Sequence, residues 1–458
     1  MLKFFRLKKE ESMIKKRIRN FSRMRMIALG FLIIILAGTL LLMTPAASRE
    51  REWTSFLTAL FTAVSASCVT GLSVVNTYLH WSFFGQIVIL ILIQTGGLGF
   101  ITIGFGFSFL LQRRISMRQR GMLKESVNVI DDSGLVRLAR LILKGTALTE
   151  GAGALILTLC FLPDMGIGTA IYYGIFHSVS AFCNAGFDLM GQFGYSSFTG
   201  YNDNPVVIIT LVLLILIGGL GFFVWADLKK NKFRFKKYSL HTKLVVITSL
   251  ILIVGGTVLF YFTERNNTYA DMGTGQAVLN ALFSAVTPRT AGFNMVDTSS
   301  LSEAGKLLTI FLMFIGGCPG STAGGIKVTT IAVLFLYLRS MLTRTEGVNI
   351  FGRRLENEAV PKATAVFATN LFIASFAALA LSAFHSLGLT DIVFESVSAI
   401  STVGMSTGIT ESLNTAGRLI IALLMYLGRV GSLSFAMSFT DKKKLSHVKL
   451  PKEHVNIG

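Results

Sequence analysis

Four short apolar segments of this 458-residue chain end in similar hairpins, and each hairpin centres on a glycine. The four glycines are Gly71, Gly186, Gly292 and Gly404, at intervals of roughly 110 residues. A glycine that ends a short helix lets the chain turn back with positive φ, so the neighbouring carbonyl groups can point to one side. Four such turns around one axis would form rings of carbonyl oxygens that replace the water around a cation. The sequence therefore predicts cation coordination by backbone oxygens.

The predicted ligands lie in the four residues around each glycine. They are Val69, Thr70, Gly71, Leu72, Asn184, Ala185, Gly186, Phe187, Thr290, Ala291, Gly292, Phe293, Thr402, Val403, Gly404 and Met405. Carboxylates do not occupy these positions, so selection would depend on the backbone alone. The stretch from Thr402 to Ser406 is similar to the Thr-Val-Gly-Tyr-Gly signature of K⁺ channels. Glycine in all four hairpins favours K⁺ over smaller ions.

The composition indicates that these hairpins lie inside a membrane. Hydrophobic residues make up 52% of the chain and charged residues 15%, against about 25% charged residues in a soluble protein. A water-soluble enzyme is therefore excluded. Eight apolar runs are long enough to span a bilayer: 26–43, 83–111, 141–162, 205–226, 244–262, 307–338, 363–387 and 419–439. Four shorter runs lie between them and are too short to cross: 54–68, 169–183, 275–288 and 390–401.

The net charge of +19 follows the predicted topology. Most Lys and Arg residues lie in five segments that share one side if each long run spans and each short run returns. The positive-inside rule makes that side cytoplasmic, with both termini inside. The basic arm and tail are expected to touch anionic lipid or a cytosolic partner. The charge therefore does not indicate nucleic-acid binding.

The predicted fold is an all-α polytopic membrane protein of four fused span, pore-helix, span repeats with eight transmembrane helices around a pseudo-four-fold pore. The boundaries are a basic N-terminal arm at 1–25, repeats at 26–111, 141–226, 244–338 and 363–439, and a cytoplasmic tail at 440–458. The second span of the third repeat is predicted to be broken.

That break is the candidate gate. The stretch 316–325 holds five glycines and one proline, which disfavour a continuous helix. Arg429 stands in the fourth repeat where the first three carry glycine. It could bind the loop carbonyls and close the pore, or act only as a structural clamp. Arg289 is expected to meet a carboxylate. The predicted gate residues are Gly316, Gly317, Cys318, Pro319, Gly320, Ser321, Thr322, Ala323, Gly324, Gly325, Lys327 and Arg429.

From about residue 26 to residue 440 the chain resembles the Trk/Ktr/HKT superfamily of K⁺ transporters, nearest its bacterial Ktr branch. The resemblance depends on the four glycine hairpins, the interrupted span at 316–327 and the Gly-Arg-Val-Gly stretch around Arg429, all in order. It implies K⁺ passage along the glycines and a gating loop inside the membrane. It also implies a homodimer resting on a cytosolic, nucleotide-binding ring subunit.

The sequence-based hypothesis is K⁺ uptake across the plasma membrane, with K⁺ held by backbone oxygens and no catalytic residues. No cofactor is expected on this chain, and nucleotide is expected only on the partner. The family leaves Na⁺ coupling open. The alternatives are a discontinuous-helix secondary transporter of another solute, a Na⁺ or nonselective cation pathway, and, more distantly, a membrane enzyme. An enzyme would need clustered catalytic side chains, whereas the six His residues are scattered.

Overall fold

A computed structural model describes residues 23–99, 102, 135–232 and 234–431. The predicted arm, tail and first cytoplasmic segment lie largely outside these residues. The long first helices of the predicted repeats are α1 (Arg23–Met43), α5 (Leu135–Phe161), α9 (Leu240–Glu264) and α13 (Ala359–Phe384). The short helices are α2 (Phe56–Ser67), α6 (Ile167–Phe182), α10 (Thr274–Val286) and α14 (Leu389–Ser401). The remaining helices are α3 (Thr77–His80), α4 (Phe83–Leu98), α7 (Pro205–Gly219), α8 (Phe222–Asn231), α11 (Glu303–Phe314), α12 (Val328–Leu342) and α15 (Thr415–Val430).

Length and composition identify four described helices that could cross a membrane by themselves: α1, α5, α9 and α13. The bent pair α7 and α8 would be a fifth. Strand is confined, in the described part of the chain, to the hairpin of β1 (Asn349–Ile350) and β2 (Arg353–Arg354). The protein is therefore mainly helical with several apolar helices, and the eight-span topology stays a prediction.

Within the described residues, the second span of every predicted repeat ends, bends or breaks at glycine. Helix α4 ends before Gly99 (φ 76°), and α15 ends before Gly431 (φ 91°). Helices α7 and α8 meet at an angle of 95° at Gly221 (φ 97°). Helices α11 and α12 are separated by residues 315–327. The sequence predicts only the break at 315–327. At Gly99, Gly221 and Gly431 the helix ends or bends because a residue with positive φ cannot continue a right-handed helix.

The helices pack in a closed cycle. Each short helix contacts the first helix of its own predicted repeat and the helix that begins the second span: α4, α7, α11 or α15. The helix that begins each second span also contacts the short helix of the next repeat: α4 packs on α6, α7 on α10 and α11 on α14. In the last repeat α15 packs on α2, which closes the cycle. Each short helix also carries one phenylalanine at an equivalent position with no more than 1% of its surface exposed: Phe61, Phe176, Phe283 and Phe394. This close packing holds the ends of the short helices toward a common centre.

Candidate cation pathway

The four hairpin glycines meet at that centre. A Cβ atom on each would lie against the carbonyl oxygen that precedes the next glycine: Gly71 with Ala185 at 2.6 Å, Gly186 with Ala291 at 2.8 Å, Gly292 with Val403 at 2.5 Å, and Gly404 with Thr70 at 2.0 Å. The sequence of contacts closes on itself, so the four hairpins form one ring, here called the glycine ring. No side chain larger than hydrogen fits at these four positions without movement.

The backbone of the ring is held in an uncommon conformation. The glycines have φ values of 68° to 99°. The residue two positions before each glycine also has positive φ: Val69 55°, Asn184 57°, Thr290 76° and Thr402 52°. Positive φ is uncommon outside glycine, and such strain persists only where the surrounding structure enforces it. Its recurrence at the same position in all four hairpins is typical of a functional site.

A serine or threonine in the last turns of each short helix, or directly after it in the case of Thr287, braces the hairpin. Their carbonyl oxygens accept the N–H of the residue before each glycine: Ser65 from Thr70 at 2.8 Å, Ser180 from Ala185 at 2.8 Å, Thr287 from Ala291 at 2.9 Å, and Ser398 from Val403 at 2.9 Å. The hydroxyls of Ser65 and Ser398 accept the glycine N–H at 3.1 and 3.2 Å. Those of Ser180 and Thr287 donate to the carbonyls of Phe187 and Phe293.

These bracing hydroxyls were not among the predicted site residues. They were detectable in the sequence, because a hydroxyl residue stands at the same place in all four short segments.

The carbonyl groups of the ring are left free by this bracing. The N–H groups of Thr70, Ala185, Ala291 and Val403 all bond back into their short helices. Among the described residues, none donates a hydrogen bond to the carbonyl oxygens of the same four residues. Buried backbone oxygens normally have a partner, and all four residues are fully buried. The ring therefore presents oxygens that can coordinate a cation.

A cavity of about 350 Å³ lies on one side of the ring. All four glycines line it, together with residues one to two positions after them in each hairpin. Three carboxylate residues, Asp188, Asp297 and Glu411, also line it. Carboxylates around a cleft raise the local concentration of cations. We call this cavity the vestibule.

The interrupted segment 315–327, here called the loop, lies on the opposite side of the ring. A Cβ on Gly324 would lie 1.8 Å from Thr402 Oγ1, and a Cβ on Gly316 would lie 3.4 Å from Thr290 Cγ2. Thr322 donates its hydroxyl to the Phe182 carbonyl at 3.2 Å. The loop therefore contacts residues that lie two to four positions before three of the glycines.

The bend between α7 and α8 receives the loop. Cys318 N–H donates to the Gly219 carbonyl at 3.1 Å, and Thr322 N–H donates to that of Gly218 at 3.3 Å. Phe222 N–H in turn donates to the Gly320 carbonyl at 2.8 Å. The bend leaves the carbonyl groups of Gly218 and Gly219 and the N–H of Phe222 available for these bonds, because they are not all used inside a continuous helix. The bend in the second repeat and the loop of the third therefore fit together.

Two cationic side chains bind loop carbonyls. Arg429 Nη1 donates to Thr322 at 2.5 Å, while Nη2 donates to Gly96 at 2.5 Å and Gly97 at 3.1 Å. Lys327 Nζ donates to Ala323 at 2.8 Å and to Gly324 at 3.0 Å. Arg429 thus links the loop to the end of α4. The predicted contact between Arg429 and the loop is present, and its role in gating stays a prediction.

Apolar helices packed around a ring of free carbonyl groups are typical of a multi-pass membrane protein that handles cations. The model of the TrkH family, described as cation transport protein, matches residues 15–447. The chain belongs to this family. It is therefore a cation transporter and not an enzyme, and the resemblance inferred from the hairpins and the broken span is confirmed.

Relatives match along nearly the full length. The chain is 40% identical to the potassium/sodium uptake protein NtpJ of Enterococcus hirae, over 98% of this chain and 100% of that protein. It is 37% identical to the Ktr system potassium uptake protein B of Bacillus subtilis, over 96% and 97% of the two chains. The crystal structure of the potassium transporter TrkH from Vibrio parahaemolyticus has the same fold, with a TM-score of 0.72 and 19% identity, covering 92% of this chain and 86% of that one.

Proposed function

We propose that this protein takes up K⁺ across the bacterial plasma membrane through the glycine ring. The observation that carries the proposal is the closed ring of four glycine backbones with uncommitted carbonyl oxygens. The names of the relatives support K⁺ as the cargo, since the two cited above are potassium uptake proteins. On this proposal the residues of the four hairpins form a selectivity filter, and K⁺ is substrate rather than cofactor.

Permeation would begin in the vestibule, where the carboxylates attract cations. The ion then exchanges its hydration water for ring carbonyls. The bracing bonds to the short helices would hold the ring carbonyls in place when the ion enters. The membrane potential supplies about 2.3 kcal/mol per charge per 100 mV for inward movement.

The loop and Arg429 would form the gate. The loop contacts the inner side of the ring, and the Arg429 bonds to Thr322, Gly96 and Gly97 hold it there. Release of these bonds would open a path from the ring to the cytoplasm. On this proposal the vestibule faces the outside and both chain termini lie in the cytoplasm, as the proposed topology of eight spans, four repeats and basic cytoplasmic segments requires.

The partners remain as the family resemblance implies: a homodimer and a cytosolic, nucleotide-binding ring subunit that acts on the loop. The printed names of several relatives describe a Ktr system, which is consistent with separate components. Nucleotide would then bind the partner and not this chain.

Na⁺ is a second candidate cargo or coupling ion. The observation that favours it is the similarity to NtpJ, which is named as a potassium/sodium uptake protein. A competition assay with both ions therefore has to accompany any test of K⁺ uptake.

Growth rescue tests the proposed function. Expression in bacteria that lack their own K⁺ uptake systems, together with a cognate regulatory subunit, should restore growth at low K⁺ and uptake of ⁸⁶Rb⁺. Absence of rescue with confirmed membrane expression would contradict K⁺ uptake. Rescue that disappears when Na⁺ is removed would establish Na⁺ coupling.

Gly71→Ser is expected to lower the preference for K⁺ over Na⁺. A Cβ at this position would lie 2.6 Å from the Ala185 carbonyl oxygen and 3.1 Å from Gly186 Cα. The ring would have to deform, and its oxygens would lose their K⁺ spacing. The measurement is inhibition of ⁸⁶Rb⁺ uptake by Na⁺. An ion preference equal to that of the unaltered protein would count against a four-glycine filter.

Ser398→Ala should also weaken selectivity, by several-fold, because the Gly404 N–H would lose its hydroxyl partner. An unsatisfied buried donor costs about 1–3 kcal/mol. Ser396→Ala is the matched control, since Ser396 is equally buried in α14 but bonds only to Ile392 of its own helix, at 2.8 Å. Equal effects of the two variants on the Na⁺ competition assay would show that the Ser398 hydroxyl does not act on the ring.

A further inference from the structure

A second cavity, of about 200 Å³, lies beside the loop. We call it the lateral crevice. Its walls come from α7, α9 and the segment between α7 and α8, and most of them are apolar: Ile215, Leu216, Leu220, Val246, Leu250 and Ile253. Leu250 has 59% of its surface exposed on the outside of the helix bundle. Since lipid covers this surface in a membrane, the crevice opens toward acyl chains.

Arg289 lines the same crevice and is only 5% exposed. Its Nη2 donates to Ser249 Oγ at 2.9 Å, whereas Nε and Nη1 have no hydrogen-bond partner. The expected carboxylate is not there: no carboxylate of the described residues forms an ion pair with Arg289. A buried guanidinium without a counter-charge is costly, and more so within a membrane. The site is therefore complementary to an anion.

The inner end of the crevice is part of the loop. Gly317 and Cys318 line it, and Cys318 lies next to the Arg289 side chain. Arg289 also immediately precedes Thr290, one of the strained residues of the glycine ring. A molecule bound in the crevice would therefore contact the loop directly. Arg289 would connect the same molecule to the glycine ring.

We propose that the lateral crevice binds a free fatty acid, with its carboxylate on Arg289 and its chain along the apolar walls of α7 and α9. Charge complementarity and the apolar walls together select an anionic amphiphile over a bare anion. The volume is below the roughly 300–1,000 Å³ of a pocket for a drug-sized molecule, so it holds a carboxylate and part of one chain. If the loop is the gate, as proposed above, the bound fatty acid alters K⁺ flux.

Photolabelling tests binding without reference to transport. The full-length protein in nanodiscs of uncharged lipid is labelled with a diazirine derivative of palmitic acid, and the labelled peptides are identified by mass spectrometry. Label is expected on α7, α9 or the loop. Palmitate should compete, whereas methyl palmitate, which lacks the carboxylate, should not. Labelling elsewhere, or equal competition by the ester, would overturn the proposal.

Two variants address the crevice and its charge. Leu250→Trp fills the crevice and should reduce labelling about tenfold, while Ile251→Trp is the matched control, because Ile251 is 63% exposed on the same helix and does not line the crevice. Arg289→Gln should also weaken labelling about tenfold through loss of charge-assisted hydrogen bonds, and Arg289→Lys should restore part of it. Equal labelling of Leu250→Trp and Ile251→Trp would contradict the site even if Arg289 variants fail to fold.

Competition and flux distinguish the remaining occupants. If a lysophospholipid competes as well as palmitate does, the crevice takes a phosphate-bearing lipid and the fatty-acid proposal is wrong. Palmitate should change ⁸⁶Rb⁺ flux in liposomes of the unaltered protein and of Ile251→Trp, and leave that of Leu250→Trp unchanged. Labelling without any K⁺ or Rb⁺ transport would preserve the binding site and refute the proposed function instead.

Discussion

Gly404→Ala is expected to abolish K⁺ uptake while the protein still reaches the membrane. The new methyl group would lie 2.0 Å from the Thr70 carbonyl oxygen and 2.9 Å from Gly71 Cα, at a backbone φ of 92°. The ring would have to open at the junction of its first and fourth hairpins. A loss of about 3 kcal/mol in the stabilisation of the permeating ion corresponds to more than about a hundredfold in rate. The measurement is initial ⁸⁶Rb⁺ uptake, normalised to the amount of protein in the membrane.

Gly408→Ala is the matched control for this variant. Gly408 lies in the same hairpin with a φ of 96°, so alanine there suffers the same backbone strain. Apart from Gly408 itself and its two chain neighbours, no residue has an atom within 4 Å of a Cβ at this position. Its uptake should stay within about twofold of the unaltered protein, since strain at a sparsely populated φ costs only about 1–3 kcal/mol and the added methyl group does not touch the ring. If both variants lose uptake equally, the loss is explained by backbone strain or misfolding and not by disruption of the glycine ring.

Arg429→Ala is expected to raise uptake and to remove its dependence on the regulatory subunit. The variant loses the bonds to Thr322, Gly96 and Gly97 that tie the loop to α4. If these bonds favour the closed state by about 2 kcal/mol, their loss changes the ratio of closed to open protein roughly thirtyfold. The assay is ⁸⁶Rb⁺ uptake with and without the cognate regulatory subunit. Deletion of part of 318–324 should have the same effect.

Arg418→Ala provides the comparison on the same helix. Arg418 also binds backbone carbonyls, those of Leu413 and Glu411, both at 2.9 Å, but it lies at the opposite end of α15. This variant should keep normal regulation. An Arg429→Ala protein that is well folded but shows an unaltered rate would mean that Arg429 is a structural clamp, which was the other interpretation of its position.

The sequence was sufficient to place the short helices. The observed short helices begin and end within two residues of the predicted apolar runs. An apolar run of that length is too short to span a membrane, and a glycine after it favours a turn. The convergence of the hairpins was predictable from the repeat, since four similar units in one chain favour a cyclic arrangement. The contact of Arg429 with the loop was also expected from the cost of an arginine at this depth.

Three features were not predictable from apolar length alone. The bend at Gly221 depends on hydrogen bonds to a loop about a hundred residues later in the chain; the local glycines weaken the helix there, but they do not indicate the 95° turn. The bracing hydroxyls were visible as a recurring residue type, but their direction is set by the turn that follows each short helix. Arg289 was expected to have a carboxylate partner because isolated buried charges are rare; the structure gives it Ser249 and a crevice instead.

The most direct test of the glycine ring is a crystal structure determined in K⁺ or Rb⁺, with anomalous scattering to locate the ions. The account predicts a peak inside the glycine ring, about equally distant from the carbonyl oxygens of Thr70, Ala185, Ala291 and Val403. Peaks confined to the vestibule carboxylates, or ring carbonyls turned away from a common axis, would contradict it.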